Sequence, residues 1–131
     1  IGIAAGMLDG LNLSTLKGAL MSRGTGEVSR LIAAMGGNKL SAYGLCHLGD
    51  YEATIFSPFS HNRKFGEAFI QKEPYHQLAE GYYTVKALMT LKEQYQVELP
   101  ICTAVYDILY HGADSDETLK SLFARSLKNE I

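Results

Sequence analysis

Apolar residues recur at three- and four-residue steps along nearly the whole chain, and glycine or proline closes or opens each run. Pro100 precedes Ile101, Ala104, Val105, Ile108 and Leu109, and Gly112 follows. A proline at a first helical position, a one-sided apolar stripe and a glycine stop together specify a helix. Leu16, Leu20, Val28, Leu31, Ile32 and Met35 repeat the pattern from Ser14 up to Gly36-Gly37. Ser60 to Ile70 carries Phe65, Ala68 and Phe69 on one side, and Val85, Leu88, Met89 and Tyr95 form another stripe. Asp114 with Glu117 three residues on is a capping pair ahead of Leu119, Leu122, Phe123 and Leu127. Asn38 to Leu45 reads as a short helix ending at Gly44, and Pro74 as the first position of a short helical turn. Tyr51, Ala53 and Ile55 alternate as in a strand, but seven residues do not decide it and the context favours helix. No stretch reads convincingly as a strand. The expected fold is all-α, about seven helices with short connections.

The first residues, Ile1 to Leu11, are apolar and include Gly2, Ala4, Ala5 and Gly6, which let another helix approach closely. They read as the middle of a helix, so the chain is expected to be the C-terminal part of something longer. Its 131 residues are enough for one domain with a real core. A net charge of −2 argues against a general nucleic-acid binder. Cys46 and Cys102 make no disulfide framework, and a reducing, cytoplasmic setting fits them best. No apolar run approaches the roughly 20 residues of a membrane span. Arg23, Glu27 and Arg30 share one helix face and are spaced to pair along it.

Chemistry concentrates between Gly44 and Gly66. Asp50 follows Gly49 at a helix start, where an acid serves either as a cap or as a functional carboxylate. Ser60 is an N-cap candidate, so the residues after it form a first turn with unpaired N–H groups and a positive dipole end. Asn62 and Arg63 there suit an anion, and phosphate is the usual guest. Cys46, His47, Asp50 and His61 match no familiar zinc spacing, and no metal is expected. Glu80 before Gly81 suits a ribose hydroxyl or a plain cap. His76 and His111 read as surface or helix-end residues, and Tyr82, Tyr83 and Tyr95 as half-buried helix residues. No glycine-rich loop follows a strand, so a dinucleotide-binding module, if there is one, lies elsewhere.

Several of these pieces, in this order, resemble the C-terminal domain of the bacterial-type NAD(P)-dependent glycerol-3-phosphate dehydrogenases. Ala5-Gly6-Met7-Leu8-Asp9-Gly10-Leu11 is similar to the family's small-residue helix and Asp-Gly turn. Ala19 to Gly24 with Glu27, Arg30 and Leu31 resembles its arginine-glycine helix. Gly44-Leu45 and Leu48-Gly49-Asp50, with Thr54 after them, resemble its glycine-leucine-glycine-aspartate segment. Ser60, Asn62, Arg63, Lys64, Phe65 and Gly66 match most of its Ser-Arg-Asn-Arg-Arg-Phe-Gly motif. Glu80-Gly81, Pro100-Ile101, Val105-Tyr106 and Leu109 complete the likeness, which covers nearly the whole chain.

The resemblance implies a helical substrate-binding domain, residues 1–131, whose N-terminal Rossmann domain is absent from this chain. The intact enzyme interconverts dihydroxyacetone phosphate and sn-glycerol 3-phosphate with NAD or NADP, in glycerophospholipid synthesis. Its general acid–base is the lysine of a Lys-Asn pair that falls just before Ile1. Asp50 stands at the aspartate that contacts substrate and supports that lysine. Ser60, His61 and Asn62 stand at the substrate-binding triplet, and His61, Leu78 and Glu80 at cofactor contacts. The Rossmann domain and a homodimer are the implied partners, with no nucleic acid and no membrane insertion. Two departures stand out: His61 replaces the motif arginine, and His47 replaces the glycine before Leu48-Gly49-Asp50. An imidazole is a weaker and pH-dependent partner for phosphate than a guanidinium. Without that lysine and the Rossmann domain, this chain alone is expected to be inactive. The alternative is a non-catalytic helical dimerisation or interaction module derived from the same family.

Overall fold

The structure is a computed structural model that describes residues 1–124, apart from the side chain of Cys46. Among the described residues it is built of seven α-helices and shorter helical turns, with no strand. Helix α1 (Gly2–Gly10) lies at its centre, and every residue from Gly2 to Leu8 is buried. A helix apolar all round has to be covered on every side. Ile3, Met7 and Leu8 join Leu20, Ile55, Val85, Ile101, Val105, Ile108 and Leu119 in one core.

One face of α1 is pressed so closely on its neighbour that at its middle backbone meets backbone. Gly2, Gly6 and Gly10 stack one above another and meet helix α4 (His61–Gln71). A Cβ on Gly6 would lie 1.8 Å from the carbonyl oxygen of Arg63, and one on Gly66 would lie 2.1 Å from that of Ile3. No side chain fits at either place. The small residues read from the sequence are thus the surface on which α4 is seated.

Helix α2 (Lys17–Ala34) follows a 3₁₀ turn at Ser14–Leu16 and ends, as expected, ahead of Gly36, whose φ of 88° only glycine adopts readily. Its charged residues do more than line one face. Arg23 donates to the carbonyls of Leu122 and Phe123, and Arg30 to that of Glu98. Glu27, only 3% exposed, accepts from the N–H groups of Ile101 (2.7 Å) and Cys102 (3.0 Å). These belong to the first turn of α6 (Pro100–His111), where Pro100 has no N–H to satisfy. A carboxylate from one helix caps the start of another. Gly24 is explained by the Ile1 side chain, which a Cβ would meet at 2.3 Å; nothing in the structure explains Gly26.

A 3₁₀ turn, Lys39–Tyr43, is capped by the Asn38 side chain and ends at Gly44 as expected. A π-helical turn, Leu45–Gly49, then runs directly into α3 (Asp50–Ile55), so the ambiguous stretch around Tyr51, Ala53 and Ile55 is helical, as the context favours. Ser60 caps α4, its hydroxyl accepting from the Arg63 N–H. Pro74 does not start a helical turn. Lys72 ends α4 with φ 58°, and no helix forms before α5 (Gly81–Tyr95), because Tyr75 is drawn onto Phe65 and His61. Gly112 closes α6 with φ 68°, and Asp114 caps α7 (Ser115–Ala124) through the Glu117 N–H. Leu119 and Leu122 of the expected stripe are buried; Leu127 lies outside the described residues.

Candidate functional site

The beginnings of α1, α4 and α5 meet near Gly2, with the end of α3 beside them. A Cβ there would lie 2.9 Å from Asn62 Cβ in the first turn of α4 and 3.3 Å from the Thr54 methyl of α3. Thr54 is four residues beyond Asp50, so the two lie on the same face of α3. The beginning of α5 joins them. The side-chain oxygen of Asn62 accepts from the Gly81 N–H at 3.0 Å. A Cβ on Gly81 would lie 2.9 Å from that oxygen and 2.9 Å from Ile3 Cδ1. Gly81 is therefore small so that Asn62 can reach it. Asn62 spends its carbonyl on this bond and keeps its amide N–H groups as donors.

Asp50 is not the N-cap that a sequence reading also allows. The π-helical turn passes into α3 without a break, Gly49 itself has helical angles, and no side chain caps the helix. Asp50 is exposed in the first turn and forms no hydrogen bond or ion pair among the described residues. Glu80 is exposed too and gives no side-chain cap to α5; only its backbone carbonyl is used, by Tyr83, Thr84 and the Thr84 hydroxyl. Both carboxylates are open to a partner.

Arg63 corrects the sequence reading. Its guanidinium does not offer a fork to an anion but is engaged by protein: Nε donates to the Ser57 carbonyl at 2.8 Å, and Nη1 to Asp9 at 2.9 Å and to Glu67. Asp9 also takes Lys17 at 2.6 Å and the Ser14 hydroxyl at 2.6 Å. Burial alone would raise the Asp9 carboxyl, but the bonds from Lys17, Ser14 and Arg63 outweigh it and hold it below the usual carboxylate range. This knot ties the end of α1 to α4, while Ser60 and Asn62, half-buried, and His61, exposed, stand at the beginning of α4.

His61 turns toward the segment between α4 and α5. Its Nδ1 lies 2.7 Å from the Tyr75 hydroxyl. Tyr75 in turn meets Phe65 edge-on at 6.0 Å, and Phe65 meets Tyr82 at 5.8 Å. Phe65, Tyr75, Leu78, Ala79, Tyr82 and Tyr83 line an open cleft of about 430 Å³ together with His76 and Gln77. Leu78 is 64% exposed at its rim. Tyr82 is half-buried as expected, stacked on Tyr110 at 4.7 Å, whereas Tyr83 is 65% exposed. Tyr75 was not singled out by the sequence. Its only signal is a tyrosine after Pro74, and its fourteen-residue separation from His61 follows no helical spacing.

His47 contacts Tyr51 at 3.4 Å and His61 contacts Tyr75, so the two imidazoles serve different neighbours. No group of three potential metal ligands occurs among the described residues. No helix is long and apolar enough to cross a membrane.

The family model for the NAD-dependent glycerol-3-phosphate dehydrogenase C-terminus matches residues 1–120. The glycerol-3-phosphate dehydrogenase [NAD(P)+] of Thermus thermophilus is 40% identical over 136 residues, covering 99% of this chain and 42% of that protein. That of Desulfitobacterium hafniense is 37% identical over 139 residues, covering 100% of this chain and 40% of its own length. The crystal structure of glycerol-3-phosphate dehydrogenase from Coxiella burnetii superposes with a TM-score of 0.86 at 32% identity, over 95% of this chain and 41% of that one. The chain thus spans about two-fifths of the length of these relatives. With its helices superposing on a solved member and its sequence matched end to end, the chain belongs to the family of glycerol-3-phosphate dehydrogenase C-terminal domains.

Proposed function

We propose that this chain is the helical substrate-binding part of an NAD(P)-dependent glycerol-3-phosphate dehydrogenase, which interconverts dihydroxyacetone phosphate and sn-glycerol 3-phosphate. The observation that carries the reading is the meeting of Asn62 and Thr54 around Gly2, with Gly81 bonded to Asn62 and Asp50 exposed on the same face as Thr54. A lysine preceding α1, where the family has it, would extend from that point. The unpaired Asp50 carboxylate would keep such an ammonium charged and aimed, ready to donate a proton to the substrate oxygen. Ser60, His61 and Asn62 receive the phosphate end. Asn62 donates through its amide, His61 through its ring, and the α4 dipole adds to both. Anchoring the phosphate away from the reacting carbon converts binding into orientation.

The residues present fit part of a nicotinamide dinucleotide. The cleft walled by Phe65, Tyr75 and Tyr82 offers flat apolar surface, Leu78 stands at its rim, and the unengaged Glu80 carboxylate suits a ribose hydroxyl. At about 430 Å³ it takes a portion of such a molecule, and a preceding Rossmann domain would hold the rest. The cofactor supplies or accepts the hydride; the chain's own part is to bind, orient and exclude water. The product is the backbone of glycerophospholipids, and the setting is the cytoplasm.

Steady-state kinetics of the full-length protein test this. The full-length protein should oxidise NADH or NADPH with dihydroxyacetone phosphate, and the isolated 131-residue chain should not. Asp50→Asn in the full-length protein should lower kcat on the order of 10²-fold with the fold intact. An Asp50→Asn enzyme within threefold of the unsubstituted one would refute the role given to Asp50.

A further inference from the structure

We infer that Tyr75 is a positioning residue: it fixes the tautomer of His61 so that the outward ring nitrogen, Nε2, always carries a hydrogen. The inference rests on the reading of His61 as an anion contact and assigns the means by which an imidazole can serve in place of a guanidinium.

The geometry is one short bond with a fixed partner. His61 is the first residue of α4, exposed beside the Ser60 cap, and its Nδ1 lies 2.7 Å from the Tyr75 oxygen. Tyr75 is half-buried, and its ring is held edge-on by Phe65. The phenol is a proton donor, and a neutral imidazole nitrogen is its natural acceptor. When Tyr75 donates to Nδ1, the single ring hydrogen of neutral His61 must sit on Nε2. When the ring is protonated, Nδ1–H donates to the phenol oxygen and Nε2 again carries a hydrogen. In both states Nε2 donates. Without Tyr75 the neutral ring is free to place its lone pair outward, where it would repel a phosphate oxygen. An arginine presents donors at every pH by its own chemistry; here a histidine and a tyrosine do so together.

Two measurements on Tyr75→Phe test it. The substitution keeps the ring that packs on Phe65 and removes only the hydroxyl. The first is the ring ¹⁵N signature of His61 in the present chain, well above the ordinary histidine range so that the imidazole is neutral. The unsubstituted chain should show hydrogen on Nε2 with Nδ1 as acceptor, and Tyr75→Phe should show mixed tautomers. Hydrogen on Nδ1 in the unsubstituted chain, or an unchanged pattern in Tyr75→Phe, overturns the inference. The second is kinetic, in the full-length protein. Tyr75→Phe should raise KM for dihydroxyacetone phosphate or the cofactor about three- to tenfold, the worth of one hydrogen bond, with kcat within about twofold. His61→Ala should raise it at least as far, and the double variant no further than His61→Ala alone. Additive effects of the two substitutions overturn the inference alone. A silent His61→Ala overturns the anion-contact reading, and the inference with it.

Discussion

Replacing Glu27 should cost this domain much of its stability, although the residue is far from the face where Asp50 and Asn62 stand. Its carboxylate is buried and accepts from two first-turn N–H groups of α6, Ile101 at 2.7 Å and Cys102 at 3.0 Å. Pro100 has no N–H, and the Thr103 N–H reaches the Leu99 carbonyl. Glu27 therefore satisfies the remaining donors of that helix end. Glu27→Ala leaves both without an acceptor in a site closed to water, at about 1–3 kcal/mol each. The lost methylene adds roughly 1 kcal/mol, so the total is on the order of 3–7 kcal/mol. Against a usual stability of about 5–15 kcal/mol, the variant should be close to unfolding at 25 °C. Glu27→Gln keeps one acceptor oxygen but turns donors toward a donor, and about 2 kcal/mol is expected. Urea titration followed by helical circular dichroism measures both, with Glu93→Gln as an exposed control expected within about 0.5 kcal/mol. Amide exchange at Ile101 and Cys102 should accelerate in Glu27→Gln before global unfolding does. A Glu27→Ala chain that loses less than about 1 kcal/mol at unchanged slope refutes the cap.

Gly6→Ala should unfold the chain or cost at least about 3 kcal/mol, since its methyl overlaps the Arg63 carbonyl, whereas Gly18→Ala, with open space around it, should stabilise by a few tenths to about 1 kcal/mol; thermal melts of the two compare them directly. The Asp9 knot should make stability acid-sensitive. Its carboxyl is held below the usual range, so its contribution is complete above pH about 5 and is lost as pH falls below about 4, and Asp9→Asn should flatten that part of a melting-temperature profile. Burial, and then the Glu27 carboxylate, pushes the Cys102 thiol up to about 12. In a Cys46→Ser background, Ellman's reagent at pH about 8 should modify Cys102 only as fast as the chain unfolds.

The helices were legible because their signals are local. Pro100, Gly112, the Ser60 cap and the Asp114–Glu117 pair each act within one turn, and the structure uses all of them. Signals that act across the fold were not legible. Arg63 and Asp9 are fifty-four positions apart, and only the seating of α4 on the glycines of α1 brings them together. Glu27 and Ile101 are seventy-four apart, so a carboxylate spaced for pairing along its own helix gave no hint of the helix it caps. Pro74 misled for the complementary reason. Its local preference for a helix start lost to tertiary contacts of the next residue, Tyr75.

The same glycine contact bears on the site. Side chains packed between two helices can adjust their rotamers and let the helices shift; backbone resting on backbone leaves no such freedom. Gly6 against Arg63 and Ile3 against Gly66 fix the height and rotation of α4 on α1. The Ser60 cap then sets where the first turn begins, and Asn62 ties that turn to α5 through the Gly81 N–H. Three residues expected to meet a phosphate thus stand on an element with little room to move. Tyr75 is different, because it reaches His61 from the irregular segment between α4 and α5. Geometry at Asn62 is therefore set by the core, and geometry at His61 by a side chain outside it. Gly81→Ala should disturb the first and leave the second in place, since its methyl crowds the Asn62 oxygen and Ile3 while the His61–Tyr75 bond lies on other residues: in NMR spectra the Asn62 side-chain amide should shift and the His61 ring ¹⁵N pattern should not, and a moved His61 pattern with an unmoved Asn62 amide refutes the division.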